Sequence, residues 1–377
     1  MARKFRLGQS RDVQDMDAPD AYAREGKAQS KRRQQSAERL ATDNEAHDSD
    51  AMLLLPDPGP WMHLPEATLV WRHSQIVDLE LDDGTALRAS LAGKLKGVKL
   101  VVGDRLRYAS EPLEAEDPGL PHAGMPQAGM PQAGMPQAQV VAVMPRRSLL
   151  KRGGIDDREP WQLICANADE LWVCAAVVDP PLRPGLLERA QTLALASGLG
   201  FRIIVTKRDR ASRKDTLPEL DPLRAQGLPI LETSAAKGEG LEPLRELLHQ
   251  RKVVLVGHSG VGKSTLINAL VPDLNQRTGA MSRYGTGRQT TTGARWLRAG
   301  DGILIDTPGI RNLSVRGLPR TLLPQVFPEF PGTWIEDPMA LDPEDEALDL
   351  EYPERLLSLQ RLWLEMEERN PNQNVHR

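Results

Sequence analysis

The order of three short motifs constrains the fold of this chain more than any other feature of its sequence. Residues 206–209 read Thr-Lys-Arg-Asp, residues 257–264 read Gly-His-Ser-Gly-Val-Gly-Lys-Ser, and residues 306–309 read Asp-Thr-Pro-Gly. Each motif directly follows a short apolar run that is typical of a buried strand, and helical patterns alternate with these runs. The alternation predicts a parallel sheet covered by helices, with ligands at the carboxyl ends of its strands.

The second motif fits the G-x-x-x-x-G-K-S pattern of a phosphate-binding loop. Its glycines let backbone N–H groups turn toward phosphates, and the helix that starts near Thr265 adds favourable partial charge. We expect Lys263 to reach the β- and γ-phosphates and the hydroxyl of Ser264 to ligate Mg²⁺. His258 and Ser259 are expected to be spacers whose side chains point away.

The first motif favours guanine over adenine. The carboxylate of Asp209 can accept hydrogen bonds from guanine N1–H and the exocyclic amine, and adenine has no such pair of donors. Lys207 can lay its aliphatic stem over the base plane. GTPases usually have asparagine where this chain has Thr206, and a hydroxyl can supply part of the tethering hydrogen bonds of that asparagine.

A second guanine loop is predicted at residues 234–237, Ser-Ala-Ala-Lys, which follow a further strand. The backbone N–H of Ala235 would meet guanine O6. The string is short, and its position after a strand is what favours this interpretation. The predicted nucleotide-binding residues are Thr206, Lys207, Arg208, Asp209, Ser234, Ala235, Gly257, His258, Ser259, Gly260, Val261, Gly262, Lys263, Ser264 and Thr265.

The third motif fits the segment that holds the metal and senses the γ-phosphate. Asp306 should hold Mg²⁺ through a water, and the N–H of Gly309 should contact the γ-phosphate. Residues 287–293 are similar to a first switch, in which one threonine, Thr291 or Thr292, closes over Mg²⁺. The predicted metal ligands are Ser264, Thr291, Thr292 and Asp306.

A β-rich segment precedes these motifs. Its five predicted strands, separated by polar turns, fit an OB-fold barrel, whose exposed face commonly holds nucleic acid. They lie at residues 67–71, 75–81, 85–89, 100–102 and 138–144. An insertion with three Ala-Gly-Met-Pro-Gln units interrupts them and is expected to be a flexible loop. The candidate phosphate contacts, for each of which solubilising surface is the alternative, are Arg88, Lys94, Lys96, Lys99, Arg105 and Arg107.

The full motif set in permuted order, behind a β-rich segment, resembles the ribosome-small-subunit-dependent GTPases of the RsgA (YjeQ) family over roughly residues 66–332. The resemblance implies an α/β, circularly permuted P-loop GTPase domain behind an OB-like barrel that contacts ribosomal RNA. GTP or GDP and Mg²⁺ would be its ligands, and the small ribosomal subunit its partner. The expected divisions are a disordered charged tail (1–60), the barrel (61–150) with its insertion (119–137), the GTPase domain (151–320) and an acidic, helical C-terminal segment (321–377).

Two positions bear on catalysis. Ras-like enzymes orient the attacking water with a glutamine after the Asp-x-x-Gly motif, but this chain has Ile310 there, as the family does. Where the family commonly has a histidine before its threonines, this chain has Gln289, which can position a water but cannot act as a base near neutral pH. We therefore expect slow intrinsic turnover, and the resemblance implies that the partner stimulates it. The predicted catalytic residues are Lys263, Gln289, Thr291, Thr292 and Gly309.

These features predict a GTP-hydrolysing assembly factor that binds the small ribosomal subunit through rRNA and leaves after hydrolysis. The alternative is a GTP-dependent RNA-binding checkpoint protein with negligible turnover, which Ile310, Gln289 and the lack of a C-terminal zinc module keep open. The guanine motif disfavours a third class, a metabolic P-loop kinase.

Composition limits the classes of partner and compartment that this chain can have. The formal net charge of -4 gives no evidence for nucleic-acid binding, although a local basic face stays possible. No apolar run approaches the roughly 20 residues that span a bilayer, so we expect a soluble, cytoplasmic protein without membrane contact. A monomer is the expected oligomeric state. Cys165 and Cys174 lie in apolar surroundings, which favours core packing over a disulfide. The basic run 31–33 could touch RNA, but acidic neighbours favour a solvated tail.

The C-terminal segment departs from the family, which usually carries a Cys/His zinc module after the GTPase domain. Beyond Gly309 the sequence has no cysteine and a single histidine, His376. A helix is predicted from Pro353 to about Arg369, and packing on the GTPase domain or the barrel is favoured over a partner-binding face. Its apolar stripe consists of Leu356, Leu359, Leu362 and Trp363.

We predict that the purified protein contains no stoichiometric zinc, because a structural zinc site takes four Cys or His ligands. Its thermal midpoint should stay unchanged in chelator when Mg²⁺ is supplied in excess. Elemental analysis checks the prediction, and one tightly held zinc per chain would contradict it.

Overall fold

The computed structural model describes residues 55, 57–110, 136–154, 161–212, 217–271, 294–307, 313–345, 348 and 350–367. All of these belong to one compact unit, Ser49–Arg377. Most of the predicted tail and nearly all of the repeat insertion lie outside the described residues. None of the helices within these ranges is long and apolar enough to cross a membrane.

Five strands close into the expected barrel. They are β1 (Glu66–His73), β2 (Ile76–Glu80), β3 (Ala86–Leu91), β4 (Arg105–Ala109) and β5 (Ala138–Val143). Their order around the barrel is β1-β2-β3-β5-β4, and antiparallel pairing of β4 with β1 closes it. Alternate side chains fill the interior, and Leu69, Leu79, Leu106 and Val140 are fully buried. A five-stranded closed barrel of this kind agrees with the OB-fold expectation.

The prediction was wrong about the fourth strand, because residues 100–102 do not join the barrel. The chain turns at Gly103, whose φ is +93°. The buried carboxylate of Asp104 accepts a hydrogen bond from the N–H of Val101 at 2.8 Å and pairs with Arg146 at 2.7 Å. This carboxylate fixes the turn, so the barrel ladder begins only after it.

A two-stranded hairpin follows the barrel, and the sequence patterns did not predict it. It pairs β6 (Leu149–Gly153) with β7 (Trp161–Ala166). Val102 forms an isolated bridge to Cys165 of β7, so the end of the run that was expected as a barrel strand contacts the hairpin, while Leu100 packs in the barrel core. Cys165 and Cys174 are both buried and free of disulfides, as predicted.

The second sheet has six strands. They are β8 (Glu170–Ala176), β9 (Gly200–Thr206), β10 (Ile230–Glu232), β11 (Lys252–Val256), β12 (Arg295–Ala299) and β13 (Gly302–Asp306). The order across the sheet is β10-β9-β8-β11-β13-β12. Its helices are α1 (Pro184–Ala196), α2 (Asp221–Ala225), α3 (Leu241–Leu248) and α4 (Lys263–Leu270). Successive side chains of β8 face opposite sides, so Val173 joins one apolar core and Trp172 the other.

One edge of this sheet corrects the expectation of purely parallel strands. β12 pairs antiparallel with β13, whereas β10, β9, β8, β11 and β13 run parallel. Gly300 and Asp301 alone separate β12 from β13, and so short a connection permits only an antiparallel hairpin.

The C-terminal segment packs on the second sheet's domain. Its helices are α5 (Leu323–Val326), α6 (Gly332–Glu336) and α7 (Pro353–Glu367). Leu356, Leu359 and Leu362 are fully buried in the core that contains Leu187 of α1, which confirms core packing for the stripe. Trp363 is partly buried, with the guanidinium carbon of Arg320 3.4 Å from its ring centroid.

A buried arginine also holds α7 in place. The side chain of Arg355 is 2% exposed, and it pairs with Glu188 of α1 at 2.9 Å and with Glu329 at 2.7 Å. It also donates to the carbonyl oxygen of Val326 at 2.7 Å. Burial raises the pKa of Glu188, and the positive charge of Arg355 opposes that rise. The pair therefore fixes the position of α7 on α1 with matched charges.

Candidate nucleotide-binding site

The sheet order brings together motifs that are far apart in the sequence. Thr206 ends β9, Gly257 follows β11, and Asp306 ends β13. β8 lies between β9 and β11, and β13 lies on the other side of β11. The three motifs therefore meet along one edge, at the carboxyl ends of neighbouring parallel strands.

One buried hydroxyl connects the first motif to the second. Thr206 is 3% exposed, and its Oγ1 lies 3.1 Å from the carbonyl oxygen of Ala175 in β8. The same hydroxyl donates to the carbonyl oxygen of Val261 in the phosphate loop. A hydroxyl has a single proton, so these two carbonyls share one donor, where the amide of an asparagine would offer two. The geometry gives Thr206 the tethering position that the sequence suggested.

Glycines shape the phosphate loop. Gly257 has a φ of +149°, and a Cβ there would lie 2.6 Å from the carbonyl oxygen of Cys174. Gly262, with a φ of +96°, caps the N-terminus of α4. A side chain at either position would strain the backbone or displace β8. The loop therefore lies close against the strand, and its next helix starts beside it.

Lys263 lies inside this loop. Its ammonium donates to the carbonyl oxygens of Gly257 at 2.6 Å and of His258 at 3.2 Å. Beneath the loop, burial raises the pKa of the Cys174 thiol to about 12, so this thiol is protonated and unreactive near neutral pH. Partial burial, followed by the positive charges of Arg183 and Lys263, lowers the pKa of His258.

The two guanine loops meet through a short hydrogen bond. Ser234 Oγ donates to Asp209 Oδ1 at 2.6 Å, and this bond lowers the pKa of the Asp209 carboxyl. The carboxylate is therefore ionised at neutral pH, as an acceptor for two N–H donors must be. Lys207 adopts the left-handed conformation (φ 60°), and its ammonium donates to the carbonyl oxygen of Asp179 at 2.6 Å. The guanidinium of Arg208 pairs with Glu232 at 3.0 Å.

The site also contains oxygen groups that could hold Mg²⁺. Asp306 is 8% exposed, and burial raises the pKa of its carboxyl against the attraction of Arg295 and Lys263. Ser264 is exposed in the first turn of α4, as is Thr265. A hydroxyl and a carboxylate are hard oxygen ligands, which suits Mg²⁺ bound jointly by protein and phosphates. Within the described ranges, this site included, no group of three or more His, Cys, Asp or Glu residues is arranged to hold a metal.

Four predicted catalytic positions lie outside the described residues: Gln289, Thr291, Thr292 and Gly309. Conversely, the structure brings to the site a loop that the motifs did not single out. This loop, residues 177–183, follows β8. Because β8 lies between β9 and β11 in the sheet, the loop lies between the first and second motifs in space. A strand order deduced from the motifs would have pointed to this loop, because ligand-binding loops follow every central strand of such a sheet.

Known proteins match this chain in sequence and in fold. The family model for the RsgA GTPase matches residues 143–316. The protein named small ribosomal subunit biogenesis GTPase RsgA from Gemmatimonas aurantiaca is 35% identical over 257 residues, which cover 66% of this chain and 77% of the relative. Its namesake from Chlorobaculum parvum is 34% identical over 263 residues, covering 67% and 79%.

The solved structure of YjeQ from Thermotoga maritima aligns with a TM-score of 0.57 at 24% identity, covering 81% of this chain and 99% of that one. YloQ, described as a circularly permuted GTPase, aligns at 0.53 and 18% identity, covering 82% and 98%. The fold and the motif order thus define a circularly permuted P-loop GTPase. The chain belongs to the RsgA GTPase family, and it hydrolyses GTP to GDP and phosphate.

We predict that Asp209→Asn weakens GTP binding by about 10- to 100-fold, because the amide presents a donor to the guanine amine. The same variant should favour xanthosine triphosphate, whose base has an oxygen in place of that amine. Nucleotide titration measures both affinities. Asp221→Asn, an exposed carboxylate on α2, is the matched control. Unchanged GTP affinity in Asp209→Asn would remove the carboxylate from base recognition.

Proposed function

We propose that this GTPase is an assembly factor for the small ribosomal subunit. It binds the subunit or its precursor through rRNA in the GTP state and leaves after hydrolysis. The observation that carries the proposal is the physical connection of an OB-like barrel to the strand that follows the predicted first switch. The names of relatives that align over more than two thirds of their own length support it.

Each nucleotide motif has a role in this proposal. Asp209 and Ala235 read guanine, and Lys263 holds the β- and γ-phosphates. Ser264 and Asp306 hold Mg²⁺, which neutralises phosphate charge when bound. Gln289, one of Thr291 and Thr292, and the N–H of Gly309 complete the site when GTP is bound.

A carboxylate at the end of a barrel strand contacts an edge strand of the GTPase domain. Glu80, at the end of β2, accepts a hydrogen bond from the indole N–H of Trp296 at 3.0 Å and pairs with Arg298 at 2.6 Å. Both partners lie on β12, which begins directly after the predicted first switch, residues 287–293. A conformational change in that switch would therefore shift β12, which is bonded to the barrel through Glu80. RNA binding and nucleotide state can influence each other by this route.

The segment after the third motif is held as well. Glu365 of α7 accepts from the N–H of Val315 at 3.0 Å and pairs with Arg189 of α1 at 2.7 Å. The N–H of Gly153, at the end of β6, donates to the carbonyl oxygen of Ser314 at 3.0 Å. Movement of the γ-phosphate-sensing segment would reach α7 and the hairpin through these bonds.

Ion pairs within the barrel reduce the number of candidate basic side chains that are available to bind RNA. Arg88 pairs with Asp78 at 2.7 Å, Arg107 pairs with Glu66 at 3.1 Å, and Arg105 pairs with Glu66 and with Asp82. These three candidates already neutralise carboxylates, which competes with phosphate binding. The exposed candidates Lys94, Lys96 and Lys99 follow one another on the turn between β3 and β4. We place the rRNA contact on this turn, which we call the lysine turn.

The proposal extends to ligands and location. The protein takes GTP or GDP with Mg²⁺ and no structural zinc, and it works in the cytoplasm as a monomer. Sedimentation equilibrium tests the last point, and a stable dimer at micromolar concentration would contradict it.

Replacement of Lys94, Lys96 and Lys99 by glutamine tests the lysine turn. Each neutralised phosphate contact contributes about 0.7 to 0.9 to the log-log salt slope of binding, so the triple variant should flatten the slope by roughly two to three units. GTP affinity should stay unchanged, and wild-type protein should bind better with a non-hydrolysable GTP analogue than with GDP. Co-sedimentation with purified small subunits across a salt series measures these effects.

The control replaces Arg224, Arg245 and Arg361 by glutamine, which removes the same charge from exposed positions on helices of the other domain. Equal slopes for wild type and the lysine variant would remove the lysine turn from the interface. Equal binding in GDP and in the GTP analogue would contradict the switch.

A further inference from the structure

The loop between β8 and α1, residues 177–183, forms one wall of the nucleotide site. The N–H of Val177 donates to the carbonyl oxygen of Thr206 at 3.1 Å, and the carbonyl oxygen of Asp179 accepts from the Lys207 ammonium at 2.6 Å. Pro180 Cδ lies 3.7 Å from the place where a Cβ on Gly260 would be. The loop therefore touches the guanine motif and the phosphate loop at once.

Arg183 ends this loop, directly before α1. Its carbonyl oxygen accepts from the N–H of Leu186 at 2.9 Å, which fixes the backbone from which the side chain starts. The side chain is exposed, and its positive charge contributes with Lys263 to the lowered pKa of His258 in the phosphate loop. No carboxylate of the described ranges pairs with its guanidinium. Arg183 is thus a cation beside the phosphate loop.

The other arginine near the start of α1 is held by contacts within the fold. Arg189 donates to the carbonyl oxygen of Gly185 at 2.7 Å and pairs with Glu365 of α7. It cannot turn toward the phosphate loop without breaking the contact that holds α7. Arg183 has no comparable partner within the described residues, so its side chain can respond to a bound anion.

A cation in this position can accelerate GTP hydrolysis. Negative charge develops on the γ-phosphoryl oxygens and on the leaving β–γ bridging oxygen, and an arginine that meets this charge accelerates hydrolysis by about 10³- to 10⁵-fold. Ile310, where Ras-like enzymes have a water-orienting glutamine, has an apolar side chain. An arginine beside the phosphate loop would supply a polar group for the transition state.

We propose that Arg183 is an arginine finger supplied by the chain itself. With GTP bound, its guanidinium donates hydrogen bonds to the γ-phosphoryl group and stabilises the charge of the transition state. The water oxygen attacks the γ-phosphorus while the bond to the β–γ bridging oxygen breaks, and that electron pair stays on GDP. The water proton leaves with the phosphate product, and Arg183 exchanges no proton. This assignment rests on the nucleotide site proposed above.

Single-turnover GTP hydrolysis by the full chain, without ribosomal subunits, tests the assignment. Arg183→Ala should lower the rate by about 10- to 1000-fold, while its affinity for GTP changes by less than about threefold. Arg183→Lys should recover little of the loss, because an ammonium cannot match the planar, bidentate guanidinium. Arg361→Ala, an exposed arginine on α7, is the control and should hydrolyse GTP at the wild-type rate.

A second measurement applies if the wild-type hydrolysis rate is too slow to compare with that of the variant. GDP with aluminium fluoride imitates the transition state, and wild-type protein should bind it at least about tenfold more tightly than Arg183→Ala does, with equal GDP affinity. Equal rates, equal affinity for the analogue, or a rate loss fully explained by weaker GTP binding would overturn the proposal. Because the assays contain no ribosomal subunits, their failure is distinct from failure of subunit binding.

Discussion

The hydroxyl of Thr206 donates to the carbonyl oxygen of Val261, and it connects two motifs that the chain order separates by 55 residues. The phosphate loop is held by this hydrogen bond at Val261. At Gly257 it packs closely against the backbone of Cys174 in β8. Both contacts require β8 between β9 and β11, so the sheet order and the site depend on each other. A GTPase site can therefore be assembled from a permuted chain, because strand neighbours rather than sequence neighbours bring its parts together.

Elements outside the GTPase domain contact the chain next to both predicted switch segments. Glu80 links the barrel to β12, and Glu365 links α7 to the backbone after the third motif. α7 itself is stabilised by its buried leucines, whereas buried ion pairs such as Arg355 with Glu188 are often no more stabilising than apolar packing. We assign that pair to the positioning of α7. Removing one partner would cost about 3 to 5 kcal/mol, because a buried charge would stay behind.

The sequence predicted the parts of the fold that depend on local pattern. Apolar runs followed by glycine-rich or polar motifs located the central strands and the residues of the site, because each such strand is buried on both faces. Pairing between residues that are distant in the sequence could not be predicted from these local patterns. β12 reads Arg-Trp-Leu-Arg-Ala, a short edge strand with arginines at its first and fourth positions, and the turn at Asp104 depends on Arg146, 42 residues away. For the same reason, the sequence did not reveal that the barrel arginines proposed as RNA contacts pair with carboxylates of neighbouring segments.

We propose that GTP hydrolysis in this protein is coupled to a ribosomal partner. The decisive measurement is single-turnover hydrolysis of labelled GTP with and without purified small ribosomal subunits. We expect slow hydrolysis by the protein alone and an increase of at least about tenfold when subunits are added. The same rate in both samples, or no hydrolysis in either while GTP stays bound, would contradict it and favour a checkpoint protein for which GTP is only a ligand.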